Sequence, residues 1–148
     1  MRLNNVRLSF PVLWTPKEFQ AGDGKPRYSA SFIIEPDSAN DKLIQEGINL
    51  ALAAKFDKPE KLKAFRASHE GQKNQWCYLP GDRKEYDGYA GNMILTSHRK
   101  AGDGKPGIYD RDQAILTEAS GRPYAGCYVN AIVEIYVQTE GQNTGVRA

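Results

Sequence analysis

The sequence predicts a mainly β domain with a helical insertion, either an α+β arrangement or a small barrel carrying extra helices. Three observations predict it. Apolar and polar residues alternate near both ends of the chain. A helical period occupies residues 38 to about 66. Gly- and Pro-containing turns punctuate the rest. With 148 residues and 16.5 kDa the chain makes one ordinary domain, large enough to bury a core without disulfide staples.

Val6-Arg7-Leu8-Ser9-Phe10 alternates as a half-buried strand should, and Pro11 and Pro16 limit its regular extent. Arg27 to Ile34 is the second strand. Tyr28, Ala30, Phe32 and Ile34 share one face, which reads as core; Arg27, Ser29 and Ser31 share the other. Between them lies the turn sequence Ala21-Gly22-Asp23-Gly24-Lys25-Pro26. Ser38 followed by Asp41 resembles a helix-opening capping box. Ile44, Ile48, Ala51 and Leu52 then recur at helical spacing up to about Phe56. Pro59 opens a second helix through Leu62 and Phe65. Residues 70–91 read as loop. Asn92 to Lys100 is a strand, and Ala101-Gly102-Asp103-Gly104-Lys105-Pro106 then repeats the earlier hexapeptide letter for letter. Their flanks differ, so these are two similar turns and not a duplicated domain. Cys127 to Gln138 is a long closing strand, with Cys127, Val129, Ala131, Val133, Ile135 and Val137 on its apolar face and Tyr128 opposite.

Composition narrows the function classes. The longest apolar run, Leu50 to Ala54, is five residues, so no membrane span is expected. Met1-Arg2-Leu3-Asn4 opens no signal peptide. Cys77 and Cys127 make no disulfide framework, and a reduced cytoplasmic compartment fits them. The net charge is only +2, but residues 1–30 carry +3 and residues 31–54 carry −3. Such segregation can give the folded chain a basic face and an acidic one.

Gly22-Asp23-Gly24-Lys25 lacks the spacing of a phosphate-binding loop, and Pro26 stands where Ser or Thr belongs; it reads as a turn. His69, Cys77, His98 and Cys127 have no paired short spacing of the zinc type, so no metal or other cofactor is expected. Asp82, Glu85 and Asp110 are the carboxylates a metal-dependent nuclease would need to converge, and no nucleophile, base and orienter occur together.

Basic and aromatic residues interleave along the chain. Trp14 and Phe19 flank Lys17; Arg27 precedes Tyr28; Trp76 and Tyr78 follow Lys73. Tyr86 and Tyr89 lie near Arg83 and Lys84, and His98-Arg99-Lys100 ends a strand. Single-stranded nucleic acid needs this mixture: cations follow phosphates, and flat rings stack unpaired bases for roughly 1–3 kcal/mol each. On these grounds Arg27, Arg99, Lys100, Lys25 and Lys105 are the candidate phosphate contacts. Trp14, Trp76, Tyr89 and Tyr128 are the candidate stacking rings, Tyr128 because it points away from the apolar face of its strand.

Val6–Phe10, Tyr28–Ile34, Pro80-Gly81-Asp82, Tyr86-Asp87-Gly88-Tyr89, Ser97–Lys100, Ile108-Tyr109-Asp110 and Tyr124-Ala125-Gly126-Cys127-Tyr128-Val129 occur in an order that resembles the phage-type single-stranded DNA-binding proteins. The resemblance implies a five-stranded OB-fold barrel with added helices. It implies a non-catalytic protein that coats single-stranded DNA during phage replication or recombination, in the cytoplasm of the infected host, as a monomer or weak dimer. Members of that family usually continue past Gly145-Val146 with another strand and an acidic tail. Residues 141–148 therefore read as a truncated loop, and the chain as a single domain cut before that strand and tail. Such a tail recruits replication proteins and competes with DNA, so its absence implies tighter binding that extends to duplex DNA. The competing functions are a β-barrel protein adaptor and, behind it, the metal-dependent nuclease.

Overall fold

A computed structural model describes residues 1–148. The chain runs β1 (Arg2–Lys17), β2 (Arg27–Ile34), α1 (Ala39–Lys55), α2 (Pro59–His69), β3 (Tyr78–Pro80), β4 (Met93–Lys100), β5 (Tyr128–Ile132), β6 (Tyr136–Gln138) and β7 (Gly145–Arg147). Five strands form an antiparallel sheet in the order β3-β4-β2-β1-β5, and β6 and β7 form a second, two-stranded sheet.

Backbone bonds join the two sheets. The Cys77 amide donates to the Val146 carbonyl at 3.0 Å, and the Val146 amide donates to Gln75 at 3.0 Å. The His98 amide donates to Ala148 at 2.9 Å. The β6–β7 hairpin, which follows β5, therefore returns to the β3–β4 edge and closes a barrel. The order around it is β1, β2, β4, β7, β6, continuing through β5 to β1, which is the strand order of an OB-fold. Gly145 makes the return possible: a Cβ there would stand 2.0 Å from the Gln75 carbonyl oxygen, at a φ of +145°. Residues 145–148 are thus not a loop. Val146 is fully buried and Ala148 nearly so, and both belong to the core.

Two further expectations change in the same way. Residues 78–80 pair with β4 inside the segment expected to be loop, too short to show a period. The long closing strand breaks between Ile132 and Tyr136, where the chain leaves β1 and turns toward β7. The first strand is longer than its prolines suggest, because register shifts at Leu3/Val6, Ser9/Val12 and Val12/Lys17 absorb the irregularities.

The core lies inside the barrel and under α1. Leu3, Val6 and Leu8 meet Phe32, Ile34, Leu95 and Trp76, and α1 adds Ile44, Ile48 and Leu52 from one stripe. Ser38 caps α1: its hydroxyl accepts from the Asp41 amide at 3.2 Å and donates to Glu35 at 2.6 Å. The Asp41 carboxylate turns back to accept from the Asp37 amide, the Gln45 side chain and the Tyr78 hydroxyl, each at 2.8 Å. That last bond ties the helix to β3.

Candidate nucleic-acid interface

The register of β1, β2, β4 and β5 fixes which side chains share the outer face of the barrel. Four lateral rows cross it. Tyr128, Arg7, Ile33 and Ile94 form the first; Ser9, Ser31 and Thr96 the second; Val12, Ser29 and His98 the third; Lys17, Arg27 and Lys100 the fourth. The first and last rows are six residues apart along β2, about 20 Å at the usual strand rise.

The fourth row is cationic, and the twin hexapeptides extend it. β2 begins where β4 ends, so residues 21–26 and 101–106 emerge side by side, with the Ala101 amide donating to Pro26 at 3.1 Å. The two identical sequences are braced differently. The Glu18 carboxylate accepts from the Gly22 and Gly24 amides at 2.9 and 3.1 Å. The Arg99 guanidinium donates to the Gly104 and Asp103 carbonyls at 2.7 and 2.5 Å. Lys25 and Lys105 are exposed on these turns. The chain forms three ion pairs, Arg7–Asp87, Arg66–Glu70 and Arg122–Asp110, and none includes Lys17, Lys25, Arg27, Lys100 or Lys105. On β7, burial lowers the pKa of Arg147, and the neighbouring Arg27 adds a smaller push in the same direction. Burial, Arg27 and Arg147 likewise lower the pKa of His98. Clustered cations without carboxylate partners repel one another, and a bound polyanion relieves that repulsion.

Aromatic rings line both ends of the face. At the cationic end, the Arg27 guanidinium lies 5.6 Å from the centre of the Phe19 ring, which packs edge-on against His98 at 5.0 Å. The Lys105 ammonium lies 5.2 Å from the Trp14 ring. At the other end Phe10 and Tyr86 pack at 4.7 Å, with Tyr89 behind them. Tyr128 stands 64% exposed beside Arg7.

Of the expected phosphate contacts, Arg27 and Lys100 fall in one row and Lys25 and Lys105 on the adjoining turns. Arg99, also exposed, does not join that row: it pairs with core-facing Tyr28, so it points to the opposite side from Arg27 and Lys100, and its guanidinium braces the second turn. Of the expected stacking rings, Tyr128 and the half-buried Trp14 have accessible surface. Trp76 and Tyr89 are corrected. Trp76 is 6% exposed in the main core, where its neighbour Val146 closes the barrel. Tyr89 is 4% exposed, packed on Ile33 and Ile94 with its hydroxyl 3.0 Å from that of Ser9. The residues not singled out beforehand are Lys17, Phe19, Tyr86 and Phe10. Phe10 alternates in sequence with Val6 and Leu8, which places it in the core; a φ of +46° at the bulge instead turns its ring out, 55% exposed.

The nuclease carboxylates are not brought together. Asp82 accepts from the Gly91 amide at 2.7 Å, and Asp110 is paired with Arg122. Cys77 is a buried thiol whose pKa burial pushes up to about 12. No helix is long and apolar enough to cross a membrane.

The whole chain, residues 1–148, matches the family of the Enterobacter phage Enc34 ssDNA-binding protein. Putative protein p50 of Acyrthosiphon pisum secondary endosymbiont phage 1 is 42% identical over 138 residues, which is 92% of this chain and 72% of that relative. A C-terminal truncation of the single-stranded DNA-binding protein from bacteriophage Enc34 superimposes with a TM-score of 0.71 at 19% identity, over 99% of this chain and 79% of that one. The same Enc34 protein in complex with ssDNA gives 0.69 at 18% identity, over the same shares. These two likenesses are of fold, and they agree with the barrel order found above. The match over its full length makes this chain a member of the Enc34-type phage ssDNA-binding protein family.

Proposed function

We propose that this chain binds single-stranded DNA, largely without regard to sequence and without catalysis, along the outer face of β1, β2 and β4. The observation that carries the reading is the set of unpaired cations, Lys17, Lys25, Arg27, Lys100 and Lys105, at one end of a face whose other end exposes Tyr128, Phe10 and Tyr86. Cations track the phosphates and rings stack the bases, on the part of an OB-fold that commonly receives oligonucleotides. Family membership supports the same ligand. The protein then acts stoichiometrically in phage DNA replication or recombination inside the host cell.

Fluorescence anisotropy with a labelled 30-base oligothymidine, without divalent metal and at two salt concentrations, tests this. Saturable binding that weakens with salt, with the strand left intact, is expected. Absence of binding at low salt, or metal-dependent cleavage of the strand, overturns it.

A further inference from the structure

Beside Tyr128 the outer face sinks into an open hollow of about 270 Å³, lined by Arg7, Phe10, Ile33, Tyr86, Asp87 and Gly126. Its walls are apolar and aromatic, and one edge carries a paired donor and acceptor. The Arg7 guanidinium donates to the Asp87 carboxylate at 2.6 Å. The Asp87 side chain is 89% exposed and that of Arg7 31%, so the acceptor is free to re-aim while the donor is held. Gly88 makes room for that donor: at a φ of +77°, a Cβ at this position would stand 2.5 Å from an Arg7 guanidinium nitrogen. The hollow therefore exists because Asp87-Gly88 combines an acid with a residue that leaves room for the arginine.

We propose that this hollow receives one unstacked base of the bound strand and favours guanine. The proposal rests on the single-stranded DNA reading above and sharpens it. A carboxylate accepts in bidentate fashion only where two N–H donors lie side by side. Among the four bases guanine alone offers this on its pairing edge, at N1 and the 2-amino group. Its O6, next along that edge, accepts a charge-assisted hydrogen bond from a guanidinium. Thymine has a single N–H on this edge, and adenine and cytosine present ring-nitrogen acceptors that repel a carboxylate. Phe10 and Tyr86 supply the ring surface against which the base lies. Asp87 thus exchanges part of its bond to Arg7 for the two guanine donors, and the cost of burying an anion near a polyanionic strand is met only by that base.

The test is competition anisotropy with three unlabelled repeats, thymine-thymine-guanine, thymine-thymine-inosine and thymine-thymine-adenine, against labelled oligothymidine. Inosine lacks only the 2-amino group. The guanine repeat should compete at least about fivefold better than the other two, the low end of what a bidentate base contact confers. In Asp87→Asn the three repeats should compete equally while oligothymidine still binds. Equal competition in the unaltered protein, or a guanine preference that survives Asp87→Asn, overturns the proposal and leaves the single-stranded DNA reading standing. Failure of every oligonucleotide to bind overturns both.

Discussion

At the scale of the residue, the question is where a ring or a cation spends its contacts. Trp76 and Tyr128 both sit in the interleaved basic-aromatic pattern, but Trp76 fills the barrel and Tyr128 stands in solvent. The two substitutions should therefore separate cleanly. Tyr128→Ala should lose about 1–3 kcal/mol of affinity for single-stranded DNA with an unchanged melting temperature. Trp76→Ala should cost about 3–5 kcal/mol of stability, read by denaturant unfolding. Loss of stability in the first or of affinity alone in the second would reverse the assignment. Arginines divide similarly. Arg27 is unpaired, Arg99 braces a turn and Arg7 is matched to Asp87. Nothing in the sequence distinguishes them except register: residues 27 and 99 lie in neighbouring rows of a pair, and so on opposite faces. The same limit applies to Phe10. Period-2 alternation places it inside, and one bulge residue reverses that.

At the scale of the element, local chemistry was legible and its partners were not. Ser38, Pro59 and the Ile44–Ile48–Leu52 stripe mark both helices, because caps and helical period are short-range. That the Asp41 carboxylate would leave the cap to accept from Tyr78 depends on a residue 37 positions away. Burial raises the Asp41 pKa, but the bonds from Gln45, the Asp37 amide and Tyr78 outweigh it and hold the value below normal. A depressed folded-state pKa contributes stability above the unfolded value of about 3.9, and the contribution disappears as pH falls through the folded value. Asp41→Asn should thus lower the melting temperature at pH 7 and flatten its decline as pH falls below about 4. Parallel declines in the two proteins would contradict it. The twin hexapeptides make a second prediction. Lys25→Gln with Lys105→Gln should reduce the slope of log affinity against log salt by about 1.4, at about 0.7 per phosphate on a single strand. An unchanged slope would place the strand elsewhere.

At the scale of the molecule, the barrel is what converts scattered cations into a face. β3, β6 and β7 are three residues each, too short for a sequence period, yet β7 completes the closure through Val146 and Ala148. Val146→Asp, which buries an unpaired charge at a fully enclosed position, should prevent cooperative folding, as judged by loss of the thermal transition. The strand order also explains why residues 17, 27 and 100 meet. β1 ends, β2 begins and β4 ends at one rim, so a chain with a net charge of only +2 presents a concentrated positive edge. The most direct test of this account is the salt dependence of oligothymidine binding in the unaltered protein and in Lys17→Gln, Arg27→Gln, Lys100→Gln combined. Weaker binding and a slope reduced by about 2 are expected in the triple variant, with the fold intact. Equal affinity and equal slope in the two proteins would contradict it.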